Sequence, residues 1–410
     1  MSAPSTNTPT TNAADTDRQD PAAQHGAVAH SDGGWDANEG RVVPVQTRSE
    51  RFASVEHDDF PEVTGLEAEW KLTPVALVRT LIDGTLDGAP YEYTATPADG
   101  VQLEWIDRGD ARVGSAGKPE ERASANAWST FERALAITVS GEEHVDVTVA
   151  RSALGAEPRA AHTVLTAKAH SDATIILQSS GRATLSENVE IVVEDGASLT
   201  VVSVQEWADD ALHLASHFAT VGRDARLKHV VVSLSGTVVR VNPSVHLDGE
   251  GADGDLYGLY FADAGQHFEQ RVYLHHVAKN TKGRVNYKGA LQGKGARTVW
   301  VGDVLIGREA AGTDSYEQNR NLVLTAGTRA DSIPNLEIET GDILGAGHAS
   351  ATGRFDDEQL FYLQARGITE AEARRLVVIG FLSEIVQRIG NAGLEGRLHA
   401  AIEKELERTA

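Results

Sequence analysis

The 410-residue chain contains no cysteine. A protein without cysteine forms no disulfide, has no thiolate nucleophile and cannot bind a metal ion through cysteine sulfur. The composition therefore excludes a disulfide-stabilised domain and any cysteine-ligated metal centre built by this chain alone. We expect a cytoplasmic protein, because the lack of disulfides fits a reducing compartment.

Long apolar runs are also missing. No stretch of about 18 apolar residues occurs, so we predict no membrane span. The opening stretch, MSAPSTNTPTTNAADTDRQD, lacks the basic and apolar parts of a secretory signal. Residues 1–50 contain no Leu, Ile or Phe. Such a segment cannot bury enough apolar surface to offset its ordering entropy, and we predict a disordered tail.

Positive charge is scarce: 37 basic residues face 60 acidic ones, a formal net charge of −23. This excess repels a phosphate backbone, so we do not expect nucleic-acid binding. The nearest approach to a P-loop, KGALQGKGART, has Gly295 after Lys294 where Ser or Thr is required. Acidic runs such as DGEGADGD are typical of turns. We therefore predict that this chain does not hydrolyse ATP.

Short β-branched runs dominate the chain from about residue 128 to 346. Runs such as ARLKHVVVSL alternate with period two and are separated by Gly and Asp turns, which predicts strands. A turn followed by leucine recurs at nearly equal spacings, ending at Leu199, Leu227 and Leu256. This repeat favours a β-solenoid, and a β-sandwich is the alternative.

The two flanks of this β-rich region have different patterns. A helix-like stretch around Pro74 and extended segments predict a small α+β region before the strands. After the strands, Asp356 or Asp357 can cap one helix, and TEAE predicts a second helix capped by Thr369. The predicted organisation is a tail at 1–50, an α+β region at 51–127, a solenoid core at 128–355 and a helical domain at 356–410.

The second C-terminal helix has an unusually wide apolar surface. Val378, Leu382 and Ile385 form one stripe at helical spacing, and neighbouring apolar residues widen it to most of the circumference. A helix of this kind must be covered on most sides. Gly380 in its middle costs roughly 1 kcal/mol against Ala but allows a close approach of another backbone.

Histidine is the residue type here with the most metal-binding potential. His213 and His217 are four residues apart, but they lie among strands, and we interpret them as structural. His275 and His276 are adjacent in a strand and point to opposite faces. His348 lies among small residues in a predicted turn, where its ring is accessible. One imidazole cannot complete a metal site, so a metal role for His348 needs ligands from another chain.

Three segments within residues 270–390 occur in an informative order: RVNYKGALQGKGARTVWVGDVLIG, then PNLEI with the GHAS run, then LFYLQARGI. They resemble the SufB/SufD family of iron–sulfur cluster assembly proteins. The family's SufB scaffold relies on a cysteine, so this chain resembles the SufD branch. Relatives in that branch carry Cys-Ser-His-Gly-Ala, which matches His348 but has cysteine at the position of Ala346.

The resemblance implies a mainly β fold: a right-handed parallel β-helix with a small N-terminal α+β region and a C-terminal helical domain. It implies pairing with SufB through the solenoid and binding of the SufC ABC-type ATPase through the C-terminal helices. ATP-driven approach of two SufC subunits would then rearrange the SufB interface. The candidate SufC contacts are Leu360, Phe361, Tyr362, Arg366 and Phe381.

The resemblance also implies which cofactors matter. His348 would face a nascent iron–sulfur cluster shared with SufB, while this chain alone binds no cofactor. A flavin in the assembled complex and a homodimer of the isolated chain are compatible with the family. Two alternatives from other classes are a β-solenoid enzyme acting on acidic polysaccharide and a self-assembling structural protein. The missing signal peptide, the absent Asp cluster and the negative charge count against the enzyme, and a self-assembling structural protein leaves the helical domain unexplained. The resemblance therefore implies a non-catalytic subunit that is not an enzyme.

Overall fold

The computed structural model describes residues 51–152, 154–354 and 357–407. The predicted tail at residues 1–50 and the candidate cap Asp356 lie outside the described residues. From Ala53 onward the chain packs as one compact unit. No helix in the described ranges is long and apolar enough to cross a membrane.

Two nine-stranded sheets form the centre of the molecule. In chain order the strands are β1 (Thr94–Ala95), β2 (Val101–Asp107), β3 (Arg133–Val139), β4 (Val145–Ser152), β5 (Pro158–Ala167), β6 (Asp172–Gly181), β7 (Thr184–Val193), β8 (Ser198–Trp207), β9 (Leu212–Val221), β10 (Arg226–Ser235), β11 (Val238–Leu247), β12 (Asp253–Ala262), β13 (His267–His276), β14 (Lys282–Leu291), β15 (Arg297–Ile306), β16 (Thr313–Val323), β17 (Arg329–Ile338) and β18 (Ile343–Arg354).

The strands from β3 to β18 alternate between the two sheets, and from β5 onward each pairs in parallel with the strand two positions earlier. Sixteen strands at two per coil give eight coils in the described part of the chain. This is a parallel β-solenoid, so the predicted solenoid is confirmed and the β-sandwich alternative is wrong. The reason is the short connections, which carry each strand into the opposite sheet rather than into a hairpin.

The register confirms only part of the predicted repeat. Leu227 pairs with Leu199 on the coil before it, as the repeat predicts. On the next coil Leu227 pairs with Gly254, whereas Leu256 pairs with His229. The prediction for Leu256 was therefore wrong, because Gly254 takes the equivalent place in the coil. Alternate positions on a strand share a face, so period-two alternation could not distinguish them.

Both outer faces of the solenoid are covered. The N-terminal region packs on the sheet of odd-numbered strands, through α1 (Val75–Asp83) and α2 (Arg122–Thr130). A short 3-10 helix, His57–Asp59, precedes them. Sequence patterning missed α2 because its buried face is made of small residues such as Ala123 and Ala127, which give little apolar contrast.

Three helices follow the last strand: α3 (Asp357–Gln364), α4 (Glu370–Ile389) and α5 (Ala392–Glu407). The hydroxyl of Thr369 accepts a hydrogen bond from the Glu372 backbone N–H at 3.3 Å, which confirms the predicted N-cap of α4. The close backbone approach that Gly380 allows is not used in the structure. A methyl group built there would meet nothing within 4 Å.

Helix α4 uses most of its apolar stripe within its own chain. Val378, Leu382 and Ile385 are fully buried against the outer face of the even-numbered sheet, in one cluster with Leu259 on β12 and Ala290 on β14. At roughly 25 cal/mol per Å² of apolar area, several buried aliphatic side chains stabilise this docking by several kcal/mol. The wide apolar surface is thus explained first by packing on the solenoid.

A buried lysine fastens the same helix. Lys288 on β14 is 4% exposed, and its Nζ lies 2.5 Å from Oε2 of Glu384 and 3.1 Å from the Phe381 carbonyl oxygen. The same ammonium lies 4.7 Å from the centre of the Phe381 ring. Removing the carboxylate would leave a buried cation without its partner, which is costly. This pair ties α4 to the third strand from the end of its sheet.

Candidate functional site

The two ends of the solenoid differ. At the first coil, β1 pairs antiparallel with β4 and β2 pairs antiparallel with β3. At the last coil, β17 and β18 are the terminal strands of their sheets, and no further described strand pairs with either. Terminal strands present unpaired backbone N–H and C=O groups. The strands β1 and β2 are also terminal, but they run antiparallel to their neighbours. Among the described strands, the last coil is therefore the end that can accept a further strand in parallel.

His348 lies on β18, at this open end. The sequence predicted a turn here, and that prediction was wrong: the run GAGHASATGR is the terminal strand itself. Small residues suit the position because Gly347 lies against the ring of Tyr316, where an added methyl carbon would be 3.3 Å away. The His348 side chain is 47% exposed, so the expected accessibility of the ring is confirmed.

Glu317 lies directly behind His348. The two residues are register partners on β16 and β18, and Nδ1 of His348 is 3.7 Å from Oε1 of Glu317. The Glu317 side chain is 0% exposed. Neither carboxylate oxygen makes a hydrogen bond of good geometry with the described residues. A buried carboxylate in this state is unusual, because desolvation penalises it without compensation.

The surroundings of Glu317 explain its electrostatics. Burial raises the pKa of Glu317 to about 8, the nearby Asp303 carboxylate adds to the increase, and the backbone N–H of Asn335 opposes it. Gly302, across the coil on β15, makes room for the side chain. A methyl group there would collide with Glu317 Oε2 and the Trp300 ring. The Glu317 side chain therefore fits the available space, but its carboxylate makes no hydrogen bond of good geometry with the described residues.

The solenoid interior is polar around this site. Every inward residue of the central part of β16 is polar and buried: Thr313, Ser315, Glu317, Asn319 and Asn321. The Asn319 amide donates to the Tyr260 hydroxyl at 2.8 Å, and that hydroxyl donates to Asn321 Oδ1 at 2.7 Å. Glu317 was not predicted as a site residue. Because both faces of the segment TDSYEQNRN are polar, the hydropathy pattern did not indicate which alternate side chains point into the solenoid.

The SufBD core domain of the SUF system for iron–sulfur cluster assembly matches residues 150–381. The matched segment covers more than half of the chain. The chain belongs to the SufBD family. Its role is therefore in iron–sulfur cluster assembly, and the carbohydrate-enzyme alternative is not favoured.

Close relatives in the SufBD family cover nearly the whole chain. An iron–sulfur cluster assembly SufBD family protein of Mycobacterium bovis is 48% identical over 376 residues, 89% of this chain and 94% of that protein. Another, from Mycobacterium leprae, is 46% identical over 380 residues, 90% of this chain and 97% of that protein. A second M. leprae family member is 30% identical over 201 residues, 49% of this chain and 23% of that protein.

The candidate partner contacts on the C-terminal helices separate into two groups. Phe361 and Tyr362 are 72% and 54% exposed, and Arg366 stacks over the Tyr362 ring at 4.1 Å. By contrast, Leu360 is 8% exposed and packs near Ala373 within the chain. Phe381, described above, is half-buried against Lys288. The aromatic side chains of Phe361 and Tyr362 on α3 are therefore exposed, whereas Leu360 and Phe381 pack within the molecule.

The remaining histidines serve the core. His213 Nε2 lies 2.7 Å from Glu187 Oε1, and His217 Nδ1 lies 2.8 Å from His229 Nε2, all buried within the solenoid. Their structural interpretation is confirmed. In the described ranges, no group of three or more His, Cys, Asp or Glu side chains could hold a metal ion. Glu317 and His348 are two donors, so a site there requires donors from outside this chain.

Proposed function

We propose that this chain is the SufD-type subunit of a SufB–SufC–SufD assembly scaffold. It would pair with a cysteine-bearing SufB-type relative through the open end of the solenoid, bind the SufC ATPase through its C-terminal helices, and place His348 beside the growing cluster. The observation that carries this proposal is His348 itself: a half-exposed imidazole on the terminal strand of a protein without cysteine. Sulfur ligands must then come from a partner.

An exposed apolar patch at the open end supports the SufB contact. This end patch consists of Tyr316, Ile338 and Leu344, which are 42%, 44% and 80% exposed. A register shift between Thr313 and Asp314 places Leu344 opposite no residue of β16. Unpaired strand edges combined with exposed apolar side chains suit strand addition by a partner of the same fold.

A second exposed patch supports the SufC contact. This helix patch consists of Phe361, Tyr362 and Leu376, with Leu376 45% exposed. Aromatic side chains are frequent hot spots of interfaces. Helix α4 carries Leu376 and is fixed to the solenoid by its buried stripe and by the pair between Lys288 and Glu384. Force applied at the helix patch would therefore pass into the even-numbered sheet, which ends at β18.

The two patches allow a crossed experiment. The full chain is co-expressed with SufB and SufC from the same organism and purified through a tag on this chain. We expect Leu344→Asp to lose SufB and retain SufC, and the double variant Phe361→Ala, Tyr362→Ala to lose SufC and retain SufB. Recovery of neither partner by the wild-type chain, or loss of both by each variant with the fold intact, would refute the proposal.

The cluster-facing role of His348 has its own test. We expect His348→Ala to form the complete complex but to contain several-fold less iron and sulfide per complex after assembly. His399→Ala, which removes a histidine from α5, is the matched control and should assemble the cluster normally. An unchanged iron and sulfide content in the His348 variant would remove this residue from the proposed function.

A further inference from the structure

The separation of Glu317 and His348 is close to that of two ligands on one metal ion. Their closest polar atoms are 3.7 Å apart, too far for a hydrogen bond. Two donors bound at about 2.1 Å to one tetrahedral metal ion lie roughly 3.4 Å apart. The observed separation therefore needs only a small side-chain adjustment to match two ligands of one ion.

The burial of the two side chains also favours a metal ion bound between them. Glu317 is fully buried and neither carboxylate oxygen makes a hydrogen bond of good geometry with the described residues, while His348 is half exposed. Asp303 contributes a second carboxylate nearby. A cation entering from the exposed side would meet the imidazole first and the carboxylate behind it. It would supply the positive charge that the buried carboxylate lacks.

We propose that Glu317 and His348 form a two-donor half-site for a divalent first-row transition-metal ion such as Fe2+, completed by donors from outside this chain. The proposal rests on the proposed function and deepens it by adding Glu317 as a ligand. The donor set, one imidazole nitrogen and one carboxylate oxygen, suits such ions and differs from a thiolate site.

The test uses the isolated full chain with 15N-labelled histidine, titrated with Co2+ as a paramagnetic substitute for Fe2+. The His348 resonances are identified by their loss in His348→Ala. In the wild-type chain we expect them to shift or broaden at low Co2+ concentration. In Glu317→Gln, the concentration for half the effect should rise by about tenfold, because one of two ligands is lost.

A matched control separates ligation from general charge. Glu309→Gln removes an exposed carboxylate from the turn between β15 and β16 and should leave the Co2+ response of His348 unchanged. Glu317→Asp keeps the carboxylate but shortens the side chain, and its response should lie between wild type and Glu317→Gln. Circular dichroism of each variant verifies the fold. An unchanged Co2+ response in folded Glu317→Gln would overturn the proposal.

The result is independent of partner recovery. Co2+ binding is measured on this chain alone, so a failure to recover SufB or SufC would refute the proposed function and leave the metal half-site intact. Conversely, a complex that assembles as proposed, with Co2+ binding unaffected by Glu317→Gln, would refute only the half-site.

Discussion

The middle coils and the last coil of the solenoid are built from the same backbone but filled differently. In the middle coils, inward rows contain residues such as Leu199, Leu227 and Leu256, each 1% exposed or less, and helices cover both outer faces. Around the last coil the inward row of β16 is polar and includes Glu317, and β18 leaves His348 half exposed. One region is complete by itself, and the other is not.

This difference shows how a repeat protein separates stability from function. Each coil contacts only its neighbours, so the middle coils, where apolar rows accompany buried polar groups that bond to one another, can supply most of the folding free energy. The end can then keep a buried carboxylate without a hydrogen bond of good geometry, and open strand edges, both of which cost stability. We propose that chemistry and partner binding are concentrated at this end.

The largest expected effect comes from the middle coils. Leu256→Ala removes a fully buried side chain on β12, and we expect it to lower the free energy of unfolding by about 2–5 kcal/mol. Leu344→Ala makes the same change at the open end, where the side chain is 80% exposed, and should change stability by less than about 0.5 kcal/mol. Urea unfolding measures both. Equal losses of unfolding free energy in the two variants would show that the middle coils do not contribute more to stability than the open end.

A smaller effect concerns pH. Burial in the middle coils lowers the pKa of His217 to about 4, whereas the unfolded chain has the ordinary value near 6.5. The unfolded state therefore binds more protons below pH 6.5, and stability falls as the pH falls toward 4. Between pH 7 and pH 5 we expect a loss of about 2 kcal/mol from this group.

Urea unfolding of His217→Gln at the two pH values tests that contribution. The variant starts from a lower stability, but its further loss between pH 7 and pH 5 should be smaller than that of the wild type. An identical pH dependence in both proteins would mean that His217 is not held neutral by the core.

An effect of comparable size has the opposite sign and belongs to the end. Burial raises the pKa of Glu317 to about 8 from the usual 4.5, so the wild type loses stability as the pH rises between these values. Between pH 5 and pH 8 this loss is about 3.5 kcal/mol, and Glu317→Gln removes it, so the variant should gain stability relative to the wild type by about that amount over this range. The gain should shrink toward pH 5. Thermal unfolding at both pH values measures it, and a destabilised variant at pH 8 would contradict a strained end.

Several features were predictable because they depend on local patterns. The strand region followed from period-two runs, and the start of α4 followed from Thr369 and its capping pattern. The family followed from motifs between residues 270 and 390, now matched by the SufBD core domain. The accessible His348 followed from its small neighbours. Each of these signals lies within one short segment.

Other features depend on which segments meet. The strand conformation of His348 is imposed by pairing with β16, because a run of Gly and Ala has little β-propensity of its own. Glu317 becomes significant only because the coil turns its side chain inward beneath His348. The apolar stripe of α4 suggested a partner, yet it mostly meets β12 and β14 of the same chain.

The order of amino acids alone established a cysteine-free, acidic, strand-rich chain of the SufBD family with a helical end. Those properties depend on composition and on neighbours along the chain. The pairing of Glu317 with His348, which a whole coil separates along the chain, and the openness of the last coil arose from stacking. A carboxylate and an imidazole so far apart in sequence acquire a joint chemistry only when parallel strands bring them into register.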